Sequence, residues 1–342
     1  MRTSATLRSR ERNDLLTPPK GLTLVVMIPA YNEEHTIHQV VDSIPRQIRG
    51  IDVVIPLVID DGSTDHTATR ATEAGAVVVS NATNQGLAYS FRKGVDTALQ
   101  LGADIIVNTD ADNQYDQSQI PDLIEPILRK RADMVLGSRF KGHIEHMSFG
   151  KYWGNRLATL AVNVVSGGNV SDGQTGFRAF SRDAILRLNV LSNFTYTQET
   201  ILEAVDKNLA IEEVPITFRK RVDHNRLFGS IWTYARRASS TLIMGMLRYH
   251  PMRTFFTIGG LVVLAGLLVG SRVILQFIAT GAVEPFLPSA VFTVLCILLG
   301  VQLVLMGLVG AMLKQQRQLI ELQVVEQRKN IHSPLLGMRT DK

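Results

Sequence analysis

Residues 107–116, VNTDADNQYD, hold the densest cluster of chemically capable side chains in the sequence. An apolar run from Ala103 to Val107 reads as a strand. It stops at Asp110 and Asp112, one residue apart, with Gln114 two positions further on. Alternate residues of an extended segment share a side, so these three oxygen-bearing groups are expected to stand together. Two other apolar runs end in the same manner. LTLVVMIPA (22–30) runs into Tyr31, Asn32, Glu33 and Glu34, and VVIPLVI (53–59) runs into DDGSTDHT (60–67). Acidic strand ends suit hydrogen bonding to a base and ribose. They repel a bare diphosphate, so such a ligand needs a divalent cation between it and the carboxylates. No GxGxxG and no GxxxxGK[ST] occurs at these turns, which leaves a dinucleotide Rossmann site or a P-loop poorly supported.

The elements that must position these residues follow from periodicity. Strand-like runs at 22–30, 53–59, 76–80 and 105–107 alternate with helical patterns at about 34–45 and 87–100, and Thr64 or Asp65 is placed to cap a helix after the second strand. Strand–helix alternation with β-branched apolar runs predicts a mostly parallel sheet covered on both faces. Ligands of such sheets bind at the carboxyl ends of the strands, so the three polar clusters are expected side by side on one rim.

The last third of the chain is different. Residues 255–279 and 290–313 are almost wholly apolar, and each run exceeds the span of a hydrocarbon core of about 30 Å. Arg272 lies toward the second end of the first run, where it can snorkel to the interface. Arg248 and Arg253 precede the first run, Lys314 and Arg317 follow the second, and the loop between has no Lys or Arg. That bias predicts both flanks, and so the large N-terminal domain and both termini, on the cytoplasmic side of the plasma membrane. Residues 1–21 are expected to be a polar cytosolic tail. The segment 314–342 reads as a polar helix and tail with a thin apolar stripe, either solvated or self-associating. Between Pro215 and Arg253 stand eight Lys/Arg against the single acid Asp223, interleaved with aromatic and aliphatic residues. The stretch 222–253 therefore reads as amphipathic helices on anionic lipid. The formal charge of +5 by itself gives no case for nucleic acid, and none is expected as a partner. The single cysteine, Cys296, excludes a disulfide within the chain.

Taken together, IPAYNEE (28–34), VIDDGSTDHT (58–67), NQGLAYSFRKG (84–94), TDADNQ (109–114), VLGSRF (135–140), YWGNR (152–156), DGQTGFRAF (172–180), VPITFRKR (214–221) and the two apolar runs resemble family 2 glycosyltransferases of the GT-A fold. More narrowly, the chain resembles the dolichol-phosphate mannose synthase group and its bacterial polyprenyl-phosphate glucosyltransferase relatives. The resemblance implies an α/β fold of GT-A type, a Rossmann-like mostly parallel sheet over 22–221, followed by interface helices and a two-helix hairpin over 254–313. It implies that Pro29, Tyr31, Glu33 and Asp61 contact the nucleoside, joined by Asp110, Ala111 and Arg221 around the nucleotide. It makes Asp110, Asp112 and Gln114 ligands of Mg²⁺ or Mn²⁺. Arg139, Arg156 and Arg226 would gather the acceptor phosphate, with Asp112 and Arg139 central to catalysis. In place of the Ser-Lys-Leu that ends the basic motif in the family, this chain has Asn225-Arg226-Leu227. Arg178 and the pair Gln198 and Glu199 fall in family segments without a decided role.

The expected reaction is an inverting transfer of a hexose from UDP-glucose or GDP-mannose to a polyprenyl phosphate. The two C-terminal spans favour UDP-glucose by resemblance to the bacterial glucosyl branch, and they also offer a route to homo-oligomers. The acceptor oxygen is already ionised near neutral pH, since the second phosphate pKa is about 6, so no strong general base is required. A processive polysaccharide synthase of the same family and a non-catalytic nucleotide-sugar-binding scaffold are the competing readings. The first lacks a Gln-x-x-Arg-Trp motif, and the second has no need of intact acids at 110 and 112.

Overall fold

The computed structural model describes residues 21–190, 196–220 and 243–331. Its centre is a seven-stranded sheet in the order β3-β2-β1-β4-β6-β5-β7. The strands are β1 (Thr23–Ala30), β2 (Val53–Asp60), β3 (Val77–Ser80), β4 (Ile105–Asn108), β5 (Met134–Ile144), β6 (Arg178–Ser181) and β7 (Ile211–Phe218). All pairings are parallel except those of β6, which runs antiparallel to both β4 and β5.

Period-two alternation builds a core on each face. Along β1, Val25 and Met27 join one apolar layer while Leu24, Val26 and Ile28 join the other. The first layer takes residues of α3 (Leu87–Gln100), α6 (Arg182–Arg187) and α7 (Tyr196–Asp206). The second takes residues of α1 (Ile37–Asp42) and α4 (Ile120–Leu128). The helix α2 (Thr67–Glu73) follows β2. Its cap position is His66 rather than Thr64 or Asp65, yet Asp65 still accepts the first-turn N–H of Thr67 at 3.0 Å. The long α5 (Phe149–Ser166) lies outside the sheet and leaves Phe149, Trp153, Leu157, Leu160 and Val164 exposed along one side.

Two helices, α8 (Pro251–Thr280) and α9 (Leu287–Ile331), are long and apolar enough to cross a membrane. They meet through small residues. A Cβ on Gly259 would lie 2.8 Å from the Gly300 carbonyl, and one on Gly300 would lie 2.8 Å from the Gly259 carbonyl. Backbones this close gain packing that larger side chains would prevent. The second helix runs unbroken through residue 313 into the segment expected to be a polar helix. α9 has 45 residues, about 68 Å at the helical rise, and continues beyond its apolar part. Nor is that continuation simply solvated: Arg317 and Arg328 hydrogen-bond residues of the N-terminal domain.

Candidate active site at the sheet rim

Because β2, β1 and β4 are parallel neighbours, their carboxyl ends open on one rim, and the three polar clusters do stand side by side. Local bonds lace them into one surface. The Asn32 N–H donates to Ser63 Oγ at 2.9 Å, Thr64 N–H donates to Asn32 Oδ1 at 2.8 Å, and Glu33 N–H donates to Thr67 Oγ1 at 2.9 Å. Thr36 Oγ1 donates to the Ala111 carbonyl at 2.7 Å, tying the loop after β1 to the acidic turn after β4. Pro29 is buried inside β1, while Tyr31 is 38 % exposed at the edge of the rim. Asp61 is buried and already engaged: Oδ1 accepts Asn81 Nδ2 and Gln85 N–H, and Oδ2 accepts Gly86 N–H at 2.8 Å. Its visible work is to hold the loop at 81–86 under the rim.

The acidic segment is not extended as expected. A turn occupies 111–112, Asn113 takes a left-handed φ of 58°, and Asp112 Oδ1 accepts the Gln114 N–H at 3.1 Å. Asp and Asn favour such local closure, and Asn tolerates the left-handed region. Strand alternation therefore ends before Asp110, and it does not align Asp110, Asp112 and Gln114. Gln114 is buried, donating Nε2 to the Arg219 carbonyl at 3.1 Å and accepting the Arg219 N–H on its own carbonyl at 2.7 Å. It splices the turn to the end of β7. Asp110 and Asp112, both half-buried, are the carboxylates of the site. No cluster of three or more Asp, Glu, His or Cys able to hold a metal exists among the described residues. A set of two carboxylates fits Mg²⁺ or Mn²⁺ when substrate phosphates complete the shell, since such ions are usually held by one or two carboxylates plus phosphate.

Asp110 is seated by a loop whose significance the sequence reading left undecided. A Cβ on Gly176 would meet Asp110 Oδ1 at 2.5 Å, so any side chain there would push that carboxylate from its place. Gly176 itself is held at both polar groups: its N–H donates to the Tyr115 hydroxyl at 2.9 Å and its carbonyl accepts Asn108 Nδ2 at 2.8 Å. Burial raises the Tyr115 pKa, and the Asp110 charge adds to the rise. The phenol therefore stays neutral and able to donate. Arg178 carries the rest of the loop. It is fully buried and donates to the carbonyls of Gly173, Thr175 and Thr197 and to Thr200 Oγ1. Burial without a paired acid pulls its pKa down to about 10, which leaves it charged at neutral pH. This settles Arg178 as a structural residue.

Arg139 is 4 % exposed and lies where the β5–β7 register shifts between Ser138 and His143. Its Nε and Nη2 donate to Asp172 at 2.7 and 2.8 Å. The pair leaves Nη1 outside it, so Arg139 is not the open fork that was expected for an acceptor phosphate. Burial alone would raise the Asp172 carboxyl, but the Arg139 hydrogen bonds and charge outweigh it and hold that carboxyl below its usual value. Asp172 was absent from the expected site; its place at the head of DGQTGFR was the available signal. Arg156, by contrast, is exposed on α5 and stacks 4.5 Å from the Phe140 ring centroid. Arg139 lies 5.9 Å from the same ring, so one aromatic joins the two arginines. Arg221 and Arg226, and residues 222–242 of the expected interface helices, lie outside the described residues. Glu199, near the start of α7, is paired with Arg248 and is buried.

Comparison with known proteins places this rim in a family. The family model for glycosyl transferase family 2 matches residues 25–188. The chain is 32% identical over 218 aligned residues to the UDP-N-acetylglucosamine–dolichyl-phosphate N-acetylglucosaminyltransferase of Methanococcus voltae, covering 56% of this chain and 84% of that one. The chain belongs to glycosyltransferase family 2. This family 2 enzyme is also 34% identical to the low-salt glycan biosynthesis hexosyltransferase Agl6 of Haloferax volcanii, over 63% of this chain but only 52% of the relative, so the match spans about half of that protein. Among solved structures it is similar to glucosyl-3-phosphoglycerate synthase of Mycobacterium tuberculosis in complex with Mn²⁺, UDP-glucose and phosphoglyceric acid, with a TM-score of 0.52 and 26% identity over 66% of this chain and 80% of that one. The family 2 domain has the GT-A fold.

Proposed function

We propose that this family 2 enzyme transfers a hexose from a nucleotide sugar to a polyprenyl monophosphate in the membrane, with inversion at the anomeric carbon. The observation that carries the reading is the joining of an acidic GT-A rim to two membrane-length helices, with Arg139 and Arg156 flanking Phe140 beside the rim. The relatives support both substrates. One is named for transfer to dolichyl phosphate, and the M. tuberculosis synthase was crystallised with UDP-glucose and Mn²⁺. The exposed apolar side of α5, with Arg156 on the same helix, suits a surface that meets lipid and a phosphate together. Both termini and the catalytic domain are cytoplasmic in this reading, from the positive charge flanking α8 and α9.

The residues divide the electrostatic work. Asp110 and Asp112 would hold Mg²⁺ or Mn²⁺, which when bound would offset charge on the departing diphosphate. The rim residues Pro29, Tyr31, Glu33 and Ala111 shape the nucleoside pocket, and Asp61 fixes the loop beside it. Arg156 attracts the acceptor phosphate, and Arg139, clamped by Asp172, supplies a fixed positive charge below it. The phosphate oxygen arrives ionised and attacks directly, so proton abstraction by an enzyme base is not part of the step.

The test is transfer of radiolabelled sugar from UDP-glucose, GDP-mannose and UDP-N-acetylglucosamine to a polyprenyl phosphate, using purified enzyme in lipid. A single lipid-linked sugar is expected. A ladder of longer glycans would point to a polysaccharide synthase, and no transfer from any donor would point to a scaffold. Within this reading, Arg156→Ala is expected to raise the KM for the acceptor by about 10- to 100-fold, the equivalent of about 1.5–3 kcal/mol for a hydrogen bond to a charged group. The donor KM should stay within a factor of about two, because Arg156 contacts Phe140 and Tyr152 rather than the rim.

A further inference from the structure

α7 has two sides with different work. On one side its first turn grips the loop beneath Asp110. The Thr197 carbonyl and Thr200 Oγ1 accept from Arg178, and Gln198 Nε2 donates to Gln174 Oε1 at 3.2 Å. On the other side Glu199, Glu203 and Asp206 form a row with helical spacing, and each meets a cation from the membrane-length helices or the segment before them. Glu199 pairs with Arg248, Glu203 with Arg317 at 2.6 Å, and Asp206 with Lys314 at 2.7 Å. Glu203 is 1 % exposed and also accepts from Lys207, which in turn reaches Glu321 on α9 at 3.1 Å.

Apolar packing follows the same seam. Tyr249, two residues before α8, is 4 % exposed and belongs to the apolar layer of the catalytic domain, and a Cβ on Gly245 would meet Val165 of α5 at 2.7 Å. Farther along α9, Arg328 donates to the Leu188 carbonyl at 3.2 Å and Lys329 stands 3.5 Å from Asp183 of α6. The helical hairpin therefore does not hang from the domain on a loose linker. Its last helix returns along α7 and α6 and is pinned at successive turns. Glu199 and Glu203, both buried, hold their charge only with these partners in place, and the part-exposed Asp206–Lys314 pair continues the same seam, so the row defines one docked arrangement.

We propose that the acidic row Glu199, Glu203 and Asp206 on α7 is a positioning device that fixes the height and tilt of the catalytic rim over the membrane, and so its alignment with a lipid-borne phosphate. The proposal rests on the polyprenyl-phosphate reading above for its kinetic consequence, but its geometry stands apart from it. These acids do not touch the reacting atoms; they act through α7 and the loop at 172–178.

Full-length enzyme is compared with Arg317→Ala and Asp206→Lys in proteoliposomes. Two acceptors are used, a long polyprenyl phosphate in the bilayer and a short water-soluble prenyl phosphate. Both variants are expected to raise the KM for the bilayer acceptor by about tenfold, the scale of a modest misalignment, with donor KM and transfer to the short acceptor unchanged. The charge exchange Asp206→Lys with Lys314→Asp should recover most of the loss. In a Cys296→Ser background, spin labels at Glu73→Cys and Asn330→Cys should give one narrow distance distribution, broadened by Arg317→Ala. A parallel loss on both acceptors, or an unchanged bilayer KM, overturns the proposal. Should the unaltered enzyme transfer to neither acceptor, the acceptor reading fails, and the label distances alone decide the docking: a distribution unchanged by Arg317→Ala overturns it.

Discussion

Asp112→Ala is expected to lower sugar transfer by about 10²-fold or more, the scale seen when one preorganised electrostatic partner of a transition state is removed. Stability should change little. The carboxylate closes a local turn by accepting the Gln114 N–H, and such a bond is worth about 1 kcal/mol. The two effects separate because Asp112 is half-buried at the rim, where water can replace it, while the cation-binding oxygen proposed for it would be lost outright. Transfer assays at saturating donor, paired with thermal unfolding of the same preparation, read both quantities. A fully active Asp112→Ala enzyme would falsify the assignment of this acid to the metal and diphosphate. Gln114→Ala offers the opposite pattern. Its side chain is tied to the Arg219 carbonyl, so its loss should loosen the junction with β7 more than it weakens any metal.

Asp172→Ala is expected to be the most destabilising single change near the site, by about 3–5 kcal/mol, because it strands the Arg139 guanidinium in the interior. Asp172 has no exposed surface and receives both Nε and Nη2 of Arg139. Replacing both residues together, Arg139→Met with Asp172→Leu, should restore much of the stability while transfer stays low, since the buried charge near Asp110 would be gone. That separation is measured by chemical denaturation in detergent and by the transfer assay. The pair also sets an acid limit. The Asp172 carboxyl is depressed in the fold, so its stabilising contribution is fully present above the unfolded carboxylate value of about 3.9 and is lost as pH falls through the lower folded value. The unaltered enzyme should therefore lose this contribution only below about pH 4. An Asp172→Asn variant should already be destabilised at neutral pH, with a shallower loss in acid.

Much of the fold was legible before any coordinates. The apolar runs at 22–30, 53–59 and 105–107 became β1, β2 and β4, and α3 begins and ends where the pattern from 87 to 100 indicated. These segments are legible because burial on both faces of a parallel strand demands an unbroken apolar run, and because a helix face repeats locally. The rim followed from the same runs, since parallel neighbours must open their carboxyl ends together. The 30- and 45-residue lengths of α8 and α9 were legible in part. Hydropathy marks the apolar portion of a helix and is silent on how far the helix continues past it.

The sequence by itself determined the composition of the rim, the family likeness and the two apolar helices, all of which depend on contacts or periodicities within a few residues. Only the tertiary structure decided how Asp110, Asp112 and Gln114 are placed, because a turn between them breaks the strand alternation that local pattern implied. Only it could join Arg139 to Asp172, 33 residues away, or bring Arg317 to Glu203, 114 residues away. A buried charge is stable only beside its partner, and that partner is chosen by packing in space, which spacing along the chain does not record.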